Sequence, residues 1–147
     1  YTLTPDGGGT DVVFTFQDLD GDGGDSPTIT GGILDTNATY TGSLELLNEL
    51  DRAAADLTEE VQEGDAPPQF FFQTSANGLN ITYDDADEDG NPIGISTIVT
   101  TNDVSTGTLT VTLRHEPNKD ASGVSSGDIS NAGGETDIEV TFNVEVQ

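Results

Sequence analysis

Apolar and polar side chains alternate along this chain in short runs, the period-two pattern of β-strands with one buried and one solvated face. Val12, Phe14 and Phe16 alternate with Val13, Thr15 and Gln17, and Leu79, Ile81 and Tyr83 with Asn80 and Thr82. Leu109, Val111 and Leu113 alternate with Thr110 and Thr112, and the longest run is Ile138, Val140, Phe142, Val144 and Val146. Further runs cover residues 40–46, 69–74 and 93–101, with shorter candidates at 1–4 and 27–30, giving seven to nine strands. The pattern predicts that Phe14, Phe16, Ile81, Leu109, Val111, Leu113, Ile138, Val140 and Phe142 are buried. It predicts that Thr110, Thr112, Glu139 and Thr141 face outward.

Many short alternating strands separated by Gly-rich turns predict two packed antiparallel sheets. The expected fold is an all-β antiparallel sandwich, immunoglobulin-like or of a similar Greek-key topology, as one domain over residues 1–147. The Cys pair and core Trp of antibody-type domains are absent, and with no cysteine there is neither a disulfide nor a thiolate metal site. Residues 51–66 interrupt the pattern. Ala54, Leu57 and Val61 stand three and four apart among Glu and Asp, which predicts a short helical excursion or a loop insertion, ended by Pro67-Pro68. Residues 116–134 read as a long loop.

The charge sharpens this picture. Twenty-eight acidic residues against three basic ones leave a net charge of −25. A field of that sign repels nucleic acid and anionic lipid and concentrates cations. It also strains a compact fold unless salt screens the carboxylates or a bound cation bridges them. A salty or calcium-containing exterior is therefore expected. Disorder, the usual fate of acidic chains, is excluded by the patterned β-branched and aromatic runs. No stretch approaches the length of apolar sequence that crosses a membrane, so direct insertion of this domain is not expected. The opening Tyr1 in place of Met suggests a mature or trimmed product whose export signal has been removed.

Two loops carry the sharpest chemistry. In DLDGDGGD, residues 18–25, Asp18, Asp20 and Asp22 alternate before Gly23; in DDADEDGN, residues 84–91, Asp85, Asp87 and Asp89 alternate before Gly90. Both match the first half of the calcium loop D-x-D-x-D-G, where carboxylates at alternate positions of a curling loop converge on a hard cation and the glycine permits a sharp turn. The acidic position six residues past the glycine is Ile29 in one loop and Ser96 in the other, and strands flank both, so neither is an EF-hand. Asp25, Asp84, backbone carbonyls such as those of Gly24 and Asn91, or water would complete the shell. Three carboxylates in one turn repel by about 1–4 kcal/mol per pair at 4 Å, depending on the dielectric, which argues for Ca2+ over a merely soluble turn. The expected ligands are Asp18, Asp20, Asp22 and Asp25 in the first loop and Asp85, Asp87, Asp89 and Asn91 in the second.

RHEPNK, residues 114–119, holds the only His and two of the three basic residues. His115 with Glu116 offers too few ligands for a transition metal. The plainer expectation is that Arg114 and Lys119 pair with nearby carboxylates and pin the loop from Pro117 to Gly134. No nucleophile elbow surrounds any Ser, and paired carboxylates carry no weight in so acidic a chain, so catalysis is not expected. Gly7, Gly8 and Gly9 precede a strand and form no phosphate loop. The sequons at Asn37 and Asn80 would matter only in a eukaryotic secretory protein.

The phrases FQDLDGDGGDSPTITGG, TYTGSLELLNE, QFFF, DEDGNPIG, LRHEPNK and AGGETDIEVTF together resemble a family of small surface lipoproteins of Bacteroidota. The resemblance spans most of the chain apart from the acidic stretch near residues 52–67. It implies an outer-membrane anchor through a lipidated N-terminal Cys that this sequence lacks. It also implies association with TonB-dependent receptors and an accessory role at the bacterial cell surface. The expected function is therefore a non-catalytic, calcium-stabilised extracellular module for binding. A structural alternative is a filament or surface-layer subunit that polymerises by donating residues 1–4, set off by Pro5 and the glycine run, to a neighbour's sheet. A secreted hydrolase is the third reading.

Overall fold

The computed structural model describes residues 1–19, 24–48, 55–56, 58 and 68–147. Among these residues the chain is all-β. One sheet has five strands in the order β10 (Asn80–Tyr83), β11 (Ser96–Thr100), β6 (Thr39–Ser43), β1 (Thr2–Pro5) and β2 (Val12–Val13). The facing sheet has four, in the order β5 (Gly32–Leu34), β13 (Glu135–Val146), β12 (Ser105–His115) and β9 (Gln69–Thr74). All pairings within the two sheets are antiparallel except that of β5 with β13, which is parallel. Two small hairpins stand apart: β3 (Thr15–Gln17) with β4 (Thr28–Thr30), and β7 (Leu47–Asn48) with β8 (Ala55–Asp56). The chain crosses repeatedly between the two layers, as a sandwich requires.

The inner faces meet in one core. Leu3, Tyr40 and Val99 from the first sheet pack with Phe70, Leu109, Val111, Leu113, Val140, Phe142 and Val144 from the second. Each fully buried side chain of this size contributes about 1.5–3 kcal/mol relative to exposure. Strand β13 shows why the sequence was readable: Val140, Phe142, Val144 and Val146 are buried, while Glu139, Thr141, Asn143 and Glu145 are exposed between them. Ile81 and Ile138, expected inside, are half-buried and pack on the core margin.

Two expectations fail. Phe16 is 43% exposed although Phe14 is buried, because β3 leaves the first sheet and pairs only with β4, so no layer covers its face. Thr112, expected outside, is buried. Its cross-strand partner is Phe71, and directly opposed residues share a face of the sheet. That outer face carries its own small core, in which Phe71 packs with Val124 and Ala132. Both come from the long loop after β12, which folds into two short 3₁₀ turns, Val124–Ser126 and Ile129–Asn131. Residues 116–134 are thus a cap over the second sheet. Within the predicted excursion at residues 51–66, Ala55 and Asp56 pair as a strand with Leu47 and Asn48; the remainder, apart from Thr58, lies outside the described residues.

Candidate functional site

The first acidic loop joins β3 to β4, a strand pair hydrogen-bonded to neither of the two larger sheets. Asp18, directly after β3, is half-buried, and Asp25, before β4, is exposed. Asp20 and Asp22 lie outside the described residues. Strands flank the loop, as the sequence predicted.

The second acidic loop joins β10 to β11. Asp85 turns its carboxylate back onto the chain. Its Oδ1 accepts from the backbone N–H groups of Ile93 (3.3 Å) and Gly94 (2.8 Å), and its Oδ2 from those of Ile95 (2.6 Å) and Ser96 (2.9 Å). The concave run of donors depends on Gly94, whose φ of +92° only glycine adopts without strain. Asp87 closes a tighter turn: its Oδ1 accepts from the N–H of Asp89 (3.1 Å) and of Asn91 (2.8 Å). The N–H of Asp87 donates to the carbonyl of Asn91 at 2.8 Å, and that of Gly90 to the carbonyl of Asp87 at 3.0 Å.

The remaining oxygen of Asp87, Oδ2, accepts from Lys119 Nζ at 2.9 Å, and Nζ also donates to the carbonyl of Pro92 at 3.0 Å. The side chains of Lys119 and Asp87 are 9% and 6% exposed. Burial pushes the Asp87 carboxyl up, but the Lys119 ammonium and the amides of Asn91 and Asp89 outweigh it together and hold the group below its ordinary range. Asp89 itself is exposed, and Asn91 contributes its backbone. Asp85 and Asp87 thus direct their carboxylates to backbone amides and to Lys119, while Asp89 is exposed. Among the described residues no group of three or more His, Asp or Glu side chains is placed to hold a metal ion.

Part of the expectation for RHEPNK holds: Lys119 does pin the long loop through a carboxylate. Arg114 instead donates to the hydroxyl of Thr136 at 2.9 Å. His115 lies 3.5 Å from Asp137 and 3.8 Å from Glu116, in exposed positions where such pairs contribute little.

A second feature had no sequence signal. Between the sheets, beside the β3–β4 hairpin, lies a groove of about 450 Å³. Phe14, Phe70, Val140 and Phe142 form part of its apolar wall, while Thr2, Gln17, Thr28 and Glu45 supply polar atoms. Phe16 and Leu47 stand on it, both partly exposed, and Phe16 is paired in register with the equally exposed Ile29. The size falls within the range of small-molecule and peptide-anchor pockets, about 300–1,000 Å³. Sequence periodicity assigns faces, not gaps between layers, so the groove could not be read in advance.

Strand β1, the donor in the alternative filament reading, pairs with β6 on one side and β2 on the other. Leu3 is buried, and the Tyr1 hydroxyl shares a hydrogen bond of 2.6 Å with Thr97. The glycine run that follows turns the chain back into β2, with Gly8 and Gly9 both at positive φ. The chain matches no protein-family model, no curated protein and no solved structure.

Proposed function

We propose that this domain is a non-catalytic binding module of the bacterial cell exterior that takes an apolar group into the groove between its sheets. The observation that carries the reading is the groove itself, an apolar wall with a few polar atoms and a rim of partly exposed Phe16 and Leu47. Isolated exposed apolar residues need no explanation, but exposed apolar residues that line a concave apolar cavity mark a candidate binding surface. The first acidic loop links the two strands of the same hairpin in sequence, and its D-x-D-x-D-G pattern supports a calcium ion there. The resemblance to surface lipoproteins of Bacteroidota supports an outer-membrane location and a TonB-dependent receptor as partner. Strand donation is the weaker reading, because β1 already fills a place between two strands of its own sheet.

The test uses Nile red, an uncharged apolar dye that the net charge of −25 does not repel. Saturable fluorescence enhancement by the native domain is expected, with affinity lowered about tenfold by Phe16→Glu, the order expected for an apolar contact of about 1.4 kcal/mol. Absence of saturable binding, or binding indifferent to Phe16→Glu, would refute the groove as the site.

A further inference from the structure

We infer that Lys119 is the resident cation of the second acidic loop, a tethered ammonium standing where loops of this sequence pattern hold calcium. Lys119 is the only lysine in the chain, and it is drawn from a loop 32 residues away to the carboxylate of Asp87. Its Nζ donates to Asp87 Oδ2 and to the carbonyl of Pro92, and both charged side chains are more than nine-tenths buried. Calcium needs about six to eight oxygen ligands. Here Asp85 receives four backbone N–H groups and Asp87 Oδ1 two more, so donors already converge on the oxygens a metal would require. Lys119 Nζ hydrogen-bonds Asp87 Oδ2 and the Pro92 carbonyl, so one ammonium serves both acceptors. The carboxylates that would add to the local repulsion, Glu88 and Asp89, are exposed to solvent.

The clasp has a structural consequence. It fastens the 116–134 cap to the β10–β11 turn, and the cap is fastened a second time where Gln69 Nε2 donates to the carbonyl of Val124 at 3.0 Å. This end of the sandwich therefore closes without any metal, whatever the first loop binds, and the inference is independent of the groove.

The experiment follows the backbone amides of residues 85–96 by NMR while calcium is added to chelator-treated protein, together with melting of three variants. The amides are expected to stay in place as calcium reaches millimolar levels. Lys119→Met is expected to lower the melting temperature by roughly 10 °C with or without calcium, as removal of one partner from a buried pair does. Asp87→Asn keeps the acceptor for Asp89 and Asn91 while removing the charge. The double variant Lys119→Met/Asp87→Asn should recover a large part of the loss caused by Lys119→Met alone. Calcium-dependent shifts of the Asp89 and Asn91 amides in the intact chain would overturn the inference. So would melting of Lys119→Met within about 2 °C of the wild type, or single losses that merely add in the double variant. Should Lys119→Met fail to fold, recovery in the double variant decides the matter.

Discussion

Replacing Asp85 by Ala isolates what one carboxylate does for the β10–β11 turn. In the intact domain its two oxygens accept four backbone N–H groups, from Ile93, Gly94, Ile95 and Ser96. Ile93, Gly94 and Ile95 are buried, so their amides have little access to replacement water. Leaving a buried donor unmet costs about 1–3 kcal/mol, and hydrogen bonds to a charged acceptor lie at the upper end. The Ile93 bond, at 3.3 Å, is the weakest of the four, and Ser96 is only half-buried. Counting two amides in full and allowing water to reach the others gives a loss of about 3–5 kcal/mol. For a domain near 150 residues that corresponds to roughly 6–20 °C in melting temperature. The assay is thermal unfolding followed by circular dichroism, run with chelator and again with millimolar calcium. Asp85→Asn should fall between wild type and Asp85→Ala, because it keeps one acceptor and presents an amide to the other donors. A melting temperature for Asp85→Ala within about 2 °C of wild type would refute the assignment, since several unmet buried donors cannot cost so little. A loss seen only in millimolar calcium, and absent with chelator, would refute it differently, by showing that the carboxylate serves a metal.

Other consequences are equally open to test. Calcium at the first loop should raise the melting temperature of the chelator-treated domain, by about 2.7 kcal/mol of stability at 100 times the dissociation constant, and Asp20→Ala should abolish the rise; identical melting with calcium and with chelator would exclude the site. Gly94→Ala should cost more than about 2 kcal/mol in urea unfolding, because a Cβ there lies 2.9 Å from both Cβ and the carbonyl oxygen of Phe70, at a φ of +92°. Tyr83→Phe should cost about 1–3 kcal/mol, since the hydroxyl donates to the Phe70 carbonyl at 2.7 Å and accepts from Gln69 Nε2 at 3.0 Å. Burial pushes the Tyr83 phenol up to about 12, with Asp85 adding to the rise and Gln69 opposing it. Because the folded value lies above the ordinary one, this contribution to stability is complete below pH 10 and declines as pH rises from about 10 to about 12. Ultraviolet titration should show a phenol ionising late in that window, and its absence in Tyr83→Phe makes the assignment.

Much of the framework was legible in the sequence because burial in a strand is a local alternation. Residues 138–146 had to place Val140, Phe142 and Val144 on one face whatever they met there, and β12 placed Leu109, Val111 and Leu113 likewise. The acidic loops could also be placed between strands, since Asp and Gly runs end strands wherever they occur. What local pattern cannot encode is which layer arrives to cover a face. Phe14 and Phe16 are equivalent by alternation, yet only Phe14 meets the opposite sheet, because the chain leaves the first sheet between them. Thr112 is polar and alternates outward, yet a loop closing from residues 116–134 buries it with Phe71. The second acidic loop shows the same limit in electrostatic form. The sequence determined that carboxylates would crowd one turn and that some positive charge must answer them. Only the tertiary structure brings Lys119 to Asp87 and the amides of residues 93–96 to Asp85, because the energy of a carboxylate depends on the donors around it in space and not on its neighbours along the chain.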